Sequence, residues 1–149
     1  MREFLFRGKE VADGKWIEGF YSAEEYNPYS GEVEHIPRIQ IIGKCVSLGV
    51  IPETVGQYTG LTDKNGVKIF EGDIVKGIAY SVTKIGVIVW IDEISSFGVR
   101  YVNAQNLTAW ENSSILRCVS MGKTDEFAAE VIGNIHDNPN ILKGGEDNG

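Results

Sequence analysis

Hydrophobic and polar positions alternate with a period of two through much of the chain, and glycine repeatedly interrupts the alternation. From Lys15 to Tyr21, Trp16, Glu18 and Phe20 fall on one side and Ile17, Gly19 and Tyr21 on the other, which predicts a strand with bulk on both faces. Glu3 to Arg7 alternates more weakly, and Ala12-Asp13-Gly14 between the two makes an opening hairpin. Ser22 to Gly31 reads as a surface loop, with a helical turn at Ala23 to Tyr26 and a tight turn at Asn27-Pro28-Tyr29-Ser30-Gly31. Gln40 to Ile42 and Lys44 to Ile51 are apolar and β-branched, with bends at Gly43 and Gly49, and Pro52 ends the second of these strands.

The central stretch runs from Thr54 to Lys76. Asp63-Lys64-Asn65-Gly66 carries an aspartate that can accept from a backbone amide two residues on, followed by Asn-Gly, which tolerates positive φ. Gln57 to Leu61 and Val67 to Phe70 are predicted to pair across this reversal. Glu71-Gly72-Asp73 then breaks the chain before Ile74 to Tyr80, Ile85 to Asp92 and Phe97 to Val102, which read as a meander. Gly86 to Ile91 is almost continuously apolar, the pattern of a strand buried on both faces, whereas Phe97, Val99 and Tyr101 alternate with Gly98 and Arg100. Leu107 to Trp110 and Ile115 to Met121 are weaker candidates, and a helical turn could begin at Asp125. Val131 to Ile135 is the closing strand, stopped by Asn138-Pro139, with a last helical turn over Asn140 to Lys143. The expected fold is mostly β with minor helix, built of curved antiparallel sheets, with a small SH3-like barrel in the central to C-terminal part. The expected layout is one domain over 1–143, comprising an N-terminal β segment (1–53) and a hairpin and barrel-like segment (54–143), then a disordered tail over 144–149.

Pro52 to Leu61, Asp63 to Gly66 and Lys68 to Val75, with Arg7-Gly8, Trp16 and Gly19 before them and Glu130 to Ile135, Asn138-Pro139 and Leu142 after, together resemble the YopX family of phage and prophage proteins. Phe70 and His136 stand where the family pattern suggests tyrosine, and Ala104 to Glu126 fits no part of it. The resemblance implies a temperate phage or prophage origin and action in the bacterial cytoplasm. It brings no established activity and no functional residues.

Composition narrows the chemistry. A chain of 149 residues can bury a core without staples. Fourteen basic against twenty-one acidic residues leave a net charge of −7, which repels a phosphate backbone on average. Cys45 and Cys118 sit beside Val46 and Val119 and are expected to be buried thiols of a reducing compartment. The first ten residues lack the apolar run of a signal peptide, and no stretch has the length of a membrane span, so a cytoplasmic location in a bacterial host is expected.

No catalytic constellation stands out. His35 and His136 lack ligand spacing to either cysteine, so neither a metal site nor a Cys/His nucleophile is expected, and no cofactor is expected either. Gly56 and Gly60 lack the lysine and following helix of a phosphate loop. Glu71, Asp73, Asp92 and Glu93 would serve a carboxylate-based hydrolase if they gathered, and local turn hydrogen bonds account for them otherwise. Trp16, Trp90, Trp110, Tyr58, Tyr80 and Tyr101 outnumber what a small core hides, so some could line a groove for a peptide or stack on bases beside Lys76, Lys84 and Arg100. The leading expectation is therefore a non-enzymatic protein-binding module whose partner is a host or phage protein. A single-stranded nucleic-acid binder, disfavoured by the acidic charge, and a carboxylate hydrolase are the alternatives. Self-association through a strand edge is left open.

Overall fold

The computed structural model describes residues 3–23, 25, 26, 29–31, 33, 34, 37–79, 82–102, 113–115 and 129–143. The chain divides into two compact units, Met1–Tyr58 and Thr59–Gly149. Among the described residues the regular elements are antiparallel strands and three short 3-10 turns, so the mostly β expectation holds.

In the first unit, β1 (Phe6–Lys9) and β2 (Trp16–Ser22) form the opening hairpin, with Gly14 at φ +69° in its turn. The glycine is needed there because a Cβ at that φ would crowd its own backbone. β3 (Glu25–Tyr26) pairs with β4 (Val33–Glu34), which corrects the expected helical turn at Ala23 to Tyr26. Extended pairing satisfies backbone groups that one unsupported helical turn would leave open. The Asn27-Pro28 part of the expected turn lies outside the described residues. β5 (Arg38–Ile41) pairs with β2, and β6 (Ser47–Gly49) pairs with β5.

The sheet then curls. Glu10 and Val50 meet in one isolated antiparallel bridge, in which the Val11 amide donates to the Gly49 carbonyl (3.0 Å) and the Ile51 amide to the Lys9 carbonyl (2.8 Å). Ile39 and Val50 fill the concave side at 0% and 2% exposure. Gly8 and Gly19 lie on that side as well. A Cβ on Gly8 would come within 3.1 Å of Val50 Cβ, and one on Gly19 would press into the Gln40 carbonyl oxygen. A short 3-10 turn, Pro52–Thr54, follows, and β7 (Gly56–Thr62) pairs with β1 through Gly56 and Gln57.

The second unit takes up β7 from Thr59, and β8 (Lys68–Phe70) lies next to β7 in the sheet. β9 (Asp73–Ala79), β10 (Val82–Ile91) and β11 (Ser96–Tyr101) form the predicted meander. β12 (Ser113–Ile115) pairs with β11, and β13 (Glu130–Asn134) returns to pair with β9, a register shift between Val131 and Gly133 marking a bulge. Ile69, Val75, Ile88, Phe97, Val99 and Ala129 form the core of this unit, with Leu61, Tyr101 and Val131 packed against it.

Three expectations need correction here. The strand order β12-β11-β10-β9-β13 is an open sheet, so the described strands make no SH3-like barrel in the central to C-terminal part. β13 docks on β9, and the two outer strands of the order are β12 and β13, which leaves the sheet unclosed. Gly86 to Ile91 is not buried on both faces. Gly86 and Ile88 are buried, Val87 and Val89 are half-buried, and Trp90 is 40% exposed. Ile91 is 4% exposed and Ile74, a cross-strand partner of Val87, is 0% exposed, so the Val87 face is covered in part, with Arg100 flanking Val87 from the other strand. Lastly, Cys45 is exposed and free. It belongs to the connection from β5 to β6, closed by the Ile41 amide donating to the Val46 carbonyl (3.0 Å), and that connection projects from the sheet instead of packing under it. Several expectations lie outside the described residues: Cys118, His35, Tyr80, the segment 107–110 with Trp110, positions 116–121 of the strand expected from Ile115, the turn at Asp125 and the tail 144–149.

Candidate functional site

The signature turns of the second unit are structural locks. Asp63 is 1% exposed, and its Oδ1 accepts from the amides of Asn65 (2.8 Å) and Val67 (2.9 Å). Its Oδ2 accepts from the amide of Val131 (3.0 Å). Burial pushes this carboxyl up, but the three backbone donors from Val131, Val67 and Asn65 outweigh it and hold the pKa below its ordinary value. One turn of the reversal is thereby tied to the closing strand. The next turn behaves alike: Gly72, at φ +85°, donates its amide to the Ile88 carbonyl (2.9 Å) and accepts from the Ile135 amide (2.9 Å). Asp73, also 1% exposed, accepts from the Phe70 amide through Oδ2 (2.8 Å). Gly60, which lacks the setting of a phosphate loop, has φ +86° and serves the backbone's course instead.

These bonds decide what the acidic residues can do. Asp73 is buried inside its own turn, whereas Asp92 and Glu93 are exposed on a separate 3-10 turn, Asp92–Ile94, beyond β10. Glu71 is half-buried beside Gly72. Among the described residues no group of three His, Cys, Asp or Glu side chains is placed to hold a metal ion. The amide of His136 donates to Asn134 Oδ1 (3.0 Å), in a turn that also has the Asp137 amide on the same oxygen (2.9 Å).

The basic residues expected to flank an aromatic platform are divided between two faces. Lys76 and Arg100 share one side of the β9-β10-β11 sheet through their partners Ile85 and Val87. Lys84 lies on the other, its Nζ 4.9 Å from the Tyr101 ring centroid. Trp90 packs edge-on against Phe97 with centroids 5.0 Å apart, which ties it to the core side.

The convex face of the first unit's sheet is where rings and cations meet. Strand alternation and the register place Arg7 and Lys9 of β1, Trp16, Glu18 and Phe20 of β2, and Arg38 and Gln40 of β5 on that face. The Arg7 guanidinium lies 4.7 Å and the Lys9 ammonium 5.5 Å from the Trp16 ring centroid, so one indole gathers two cations. Phe20 is 54% exposed directly across from Gln40. Arg38 is positioned by β6, donating through Nη2 to the Ser47 carbonyl (2.6 Å) and through Nε to Ser47 Oγ (3.2 Å). This arrangement can offer an aromatic face, an amide and several cations together. Its aromatic half was legible as the Trp16, Glu18, Phe20 alternation. The cations arrive from β1 and β5, and only the pairing register brings them alongside.

Comparison with known proteins adds the following. A family model described as YopX protein matches residues 5–143. A solved structure, protein EF1440 from Enterococcus faecalis, is similar at 23% identity, covering 95% of this chain and 99% of that one, with a TM-score of 0.47. Among curated proteins there is no match. No helix of the described residues is long and apolar enough to cross a membrane.

Proposed function

The chain belongs to the YopX family, and from that premise we propose that it is a phage- or prophage-encoded accessory protein of the bacterial cytoplasm, acting as a non-enzymatic binding module through the convex face of its first unit. The carrying observation is the exposed Phe20 on the same sheet face as the Arg7–Trp16–Lys9 stack and the Ser47-held Arg38. An exposed ring in water costs hydrophobic free energy that a partner would recover. A cation fixed by a neighbour also loses less side-chain freedom on binding than a free one. The acidic residues offered for hydrolysis support the reading from the other side, because Asp73 spends its carboxylate on its own turn.

The test is parallel capture from lysogenic and induced host cells on the native protein and on a Phe20→Ala/Arg38→Gln double variant, scoring retained protein and nucleic acid. Retention by the native protein that the variant loses, with unchanged far-UV circular dichroism, supports the reading. The same set of retained molecules on both would remove this face as the site.

A further inference from the structure

Resting on the binding-module reading, we infer that the convex face takes a single-stranded nucleic acid, with a base stacked on Phe20 and phosphates drawn to Lys9 and Arg38. The make-up of the face selects this class. Apart from Trp16 and Phe20, every convex-face residue of β1, β2 and β5 is charged or polar, and none is aliphatic. The centre of a protein–protein interface is depleted of charge and rich in apolar contact, which is not this pattern. Rings interleaved with cations and an amide match a polymer that alternates flat bases with charged linkers.

Charge points the same way. The whole chain carries −7, yet Arg7, Lys9 and Arg38 face a single carboxylate, Glu18, on these three strands. A cation–π contact leaves net charge in place, because the indole carries a quadrupole and no charge of its own. The Arg7–Trp16–Lys9 stack therefore keeps its charge while fixing where its cations sit, and with Glu18 directly across from Arg7 the three strands carry two net positive charges on this face. Spacing is suitable too. Lys9, across from Trp16, and Arg38, across from Ser22, stand at the two ends of the face with Phe20 between them, roughly 20 Å apart along β2, about three phosphate repeats of an extended single strand. Gln40, the cross-strand partner of Phe20, places an amide beside the ring, where a stacked base would present its hydrogen-bonding edge. A duplex keeps its bases stacked inside and could use only the cations, so the exposed ring selects a single strand.

Fluorescence anisotropy of end-labelled dT12 and rU12 with the full chain tests this. Saturable binding at 50 mM salt is expected, weakened about sevenfold at 200 mM if two phosphates are engaged. Phe20→Ala should weaken it about tenfold, and Lys9→Gln should lower the salt slope by about 0.7. A duplex of matched length should compete poorly. Absence of saturable binding at 50 mM salt overturns the inference, as does equal affinity of Phe20→Ala and the native protein. If oligonucleotides fail while Phe20-dependent capture of a host protein persists, the inference falls and the binding-module reading stands. If that capture fails as well, both fall.

Discussion

The Asp63 carboxylate accepts the backbone amide of Val131 at 3.0 Å across 68 residues of chain. A turn that opens the second unit is thus completed by its last strand. Asp63 also serves Asn65 and Val67, so one buried side chain satisfies three backbone donors. Asp63→Ala leaves all three amides without that acceptor, and the expected cost is about 3 kcal/mol. Asp63→Asn, which keeps one oxygen but turns an amide group toward a donor, should cost about 2 kcal/mol. Urea unfolding at pH 7 measures both.

Acid should attack the same lock. The folded-state pKa of Asp63 lies below its ordinary value of 3.8, because the three amides prefer the ionised form more than burial disfavours it. A group depressed by folding contributes its stability fully above the unfolded pKa and loses it as pH falls through the folded one. The urea midpoint of the native protein should therefore be steady from neutrality down toward pH 5 as far as this group is concerned, then decline below about pH 4. Asp63→Asn should remove that part of the decline, visible as a smaller midpoint difference between pH 5 and pH 3.

Two glycines should fail for different reasons. A Cβ on Gly19 would stand 2.7 Å from the Gln40 carbonyl carbon and 2.9 Å from Ile39 Cγ2, besides its conflict with the Gln40 oxygen. Backbone cannot rotate away, so Gly19→Ala should part β2 from β5 and abolish cooperative unfolding of the first unit. At Gly72 the nearest atoms are Ile135 carbons 3.6 Å away, and the obstacle is the positive φ alone. Gly72→Ala should cost about 1–2 kcal/mol with the fold retained. Thermal melts followed by far-UV circular dichroism separate the two outcomes.

Trp16 should matter to stability as well as to recognition. It is half-buried, and its ring gathers Arg7 and Lys9. Trp16→Ala removes apolar area and both contacts, for an expected loss of about 2–3 kcal/mol. Trp16→Phe keeps a ring and should lose about 1 kcal/mol. Equal losses in denaturant titrations would show that a smaller ring recovers nothing and that the contribution is specific to the indole.

The legible parts of the fold are local ones. Asp63-Lys64-Asn65-Gly66 announces its reversal through turn chemistry, and the structure has Gly66 at φ +78° with its amide on the Asp63 carbonyl (2.9 Å). The β9–β10–β11 meander follows from alternation and turn residues in the same way. What the sequence conceals depends on distant pairing. Nothing near Asp63 points to Val131, nothing near Glu10 points to Val50, and the open order of the second sheet rests on β13 meeting β9. Ala23 to Tyr26 misleads because its helical tendency is local, while Val33 and Glu34 draw it into a ladder. Cys45 misleads because apolar neighbours in a projecting turn say little about burial. The candidate site divides likewise: period two gives Trp16 and Phe20, whereas Arg7, Lys9 and Arg38 join them only through strand register.

The tie between Asp63 and Val131 bears on how the protein is made. A ribosome delivers the reversal and the whole meander long before it delivers the closing strand, so an emerging polypeptide holds β9 with one side unclaimed and a carboxylate short of a donor. The second unit cannot lock as it is synthesised, and its final cooperative step waits for the last stretch to clear the exit tunnel.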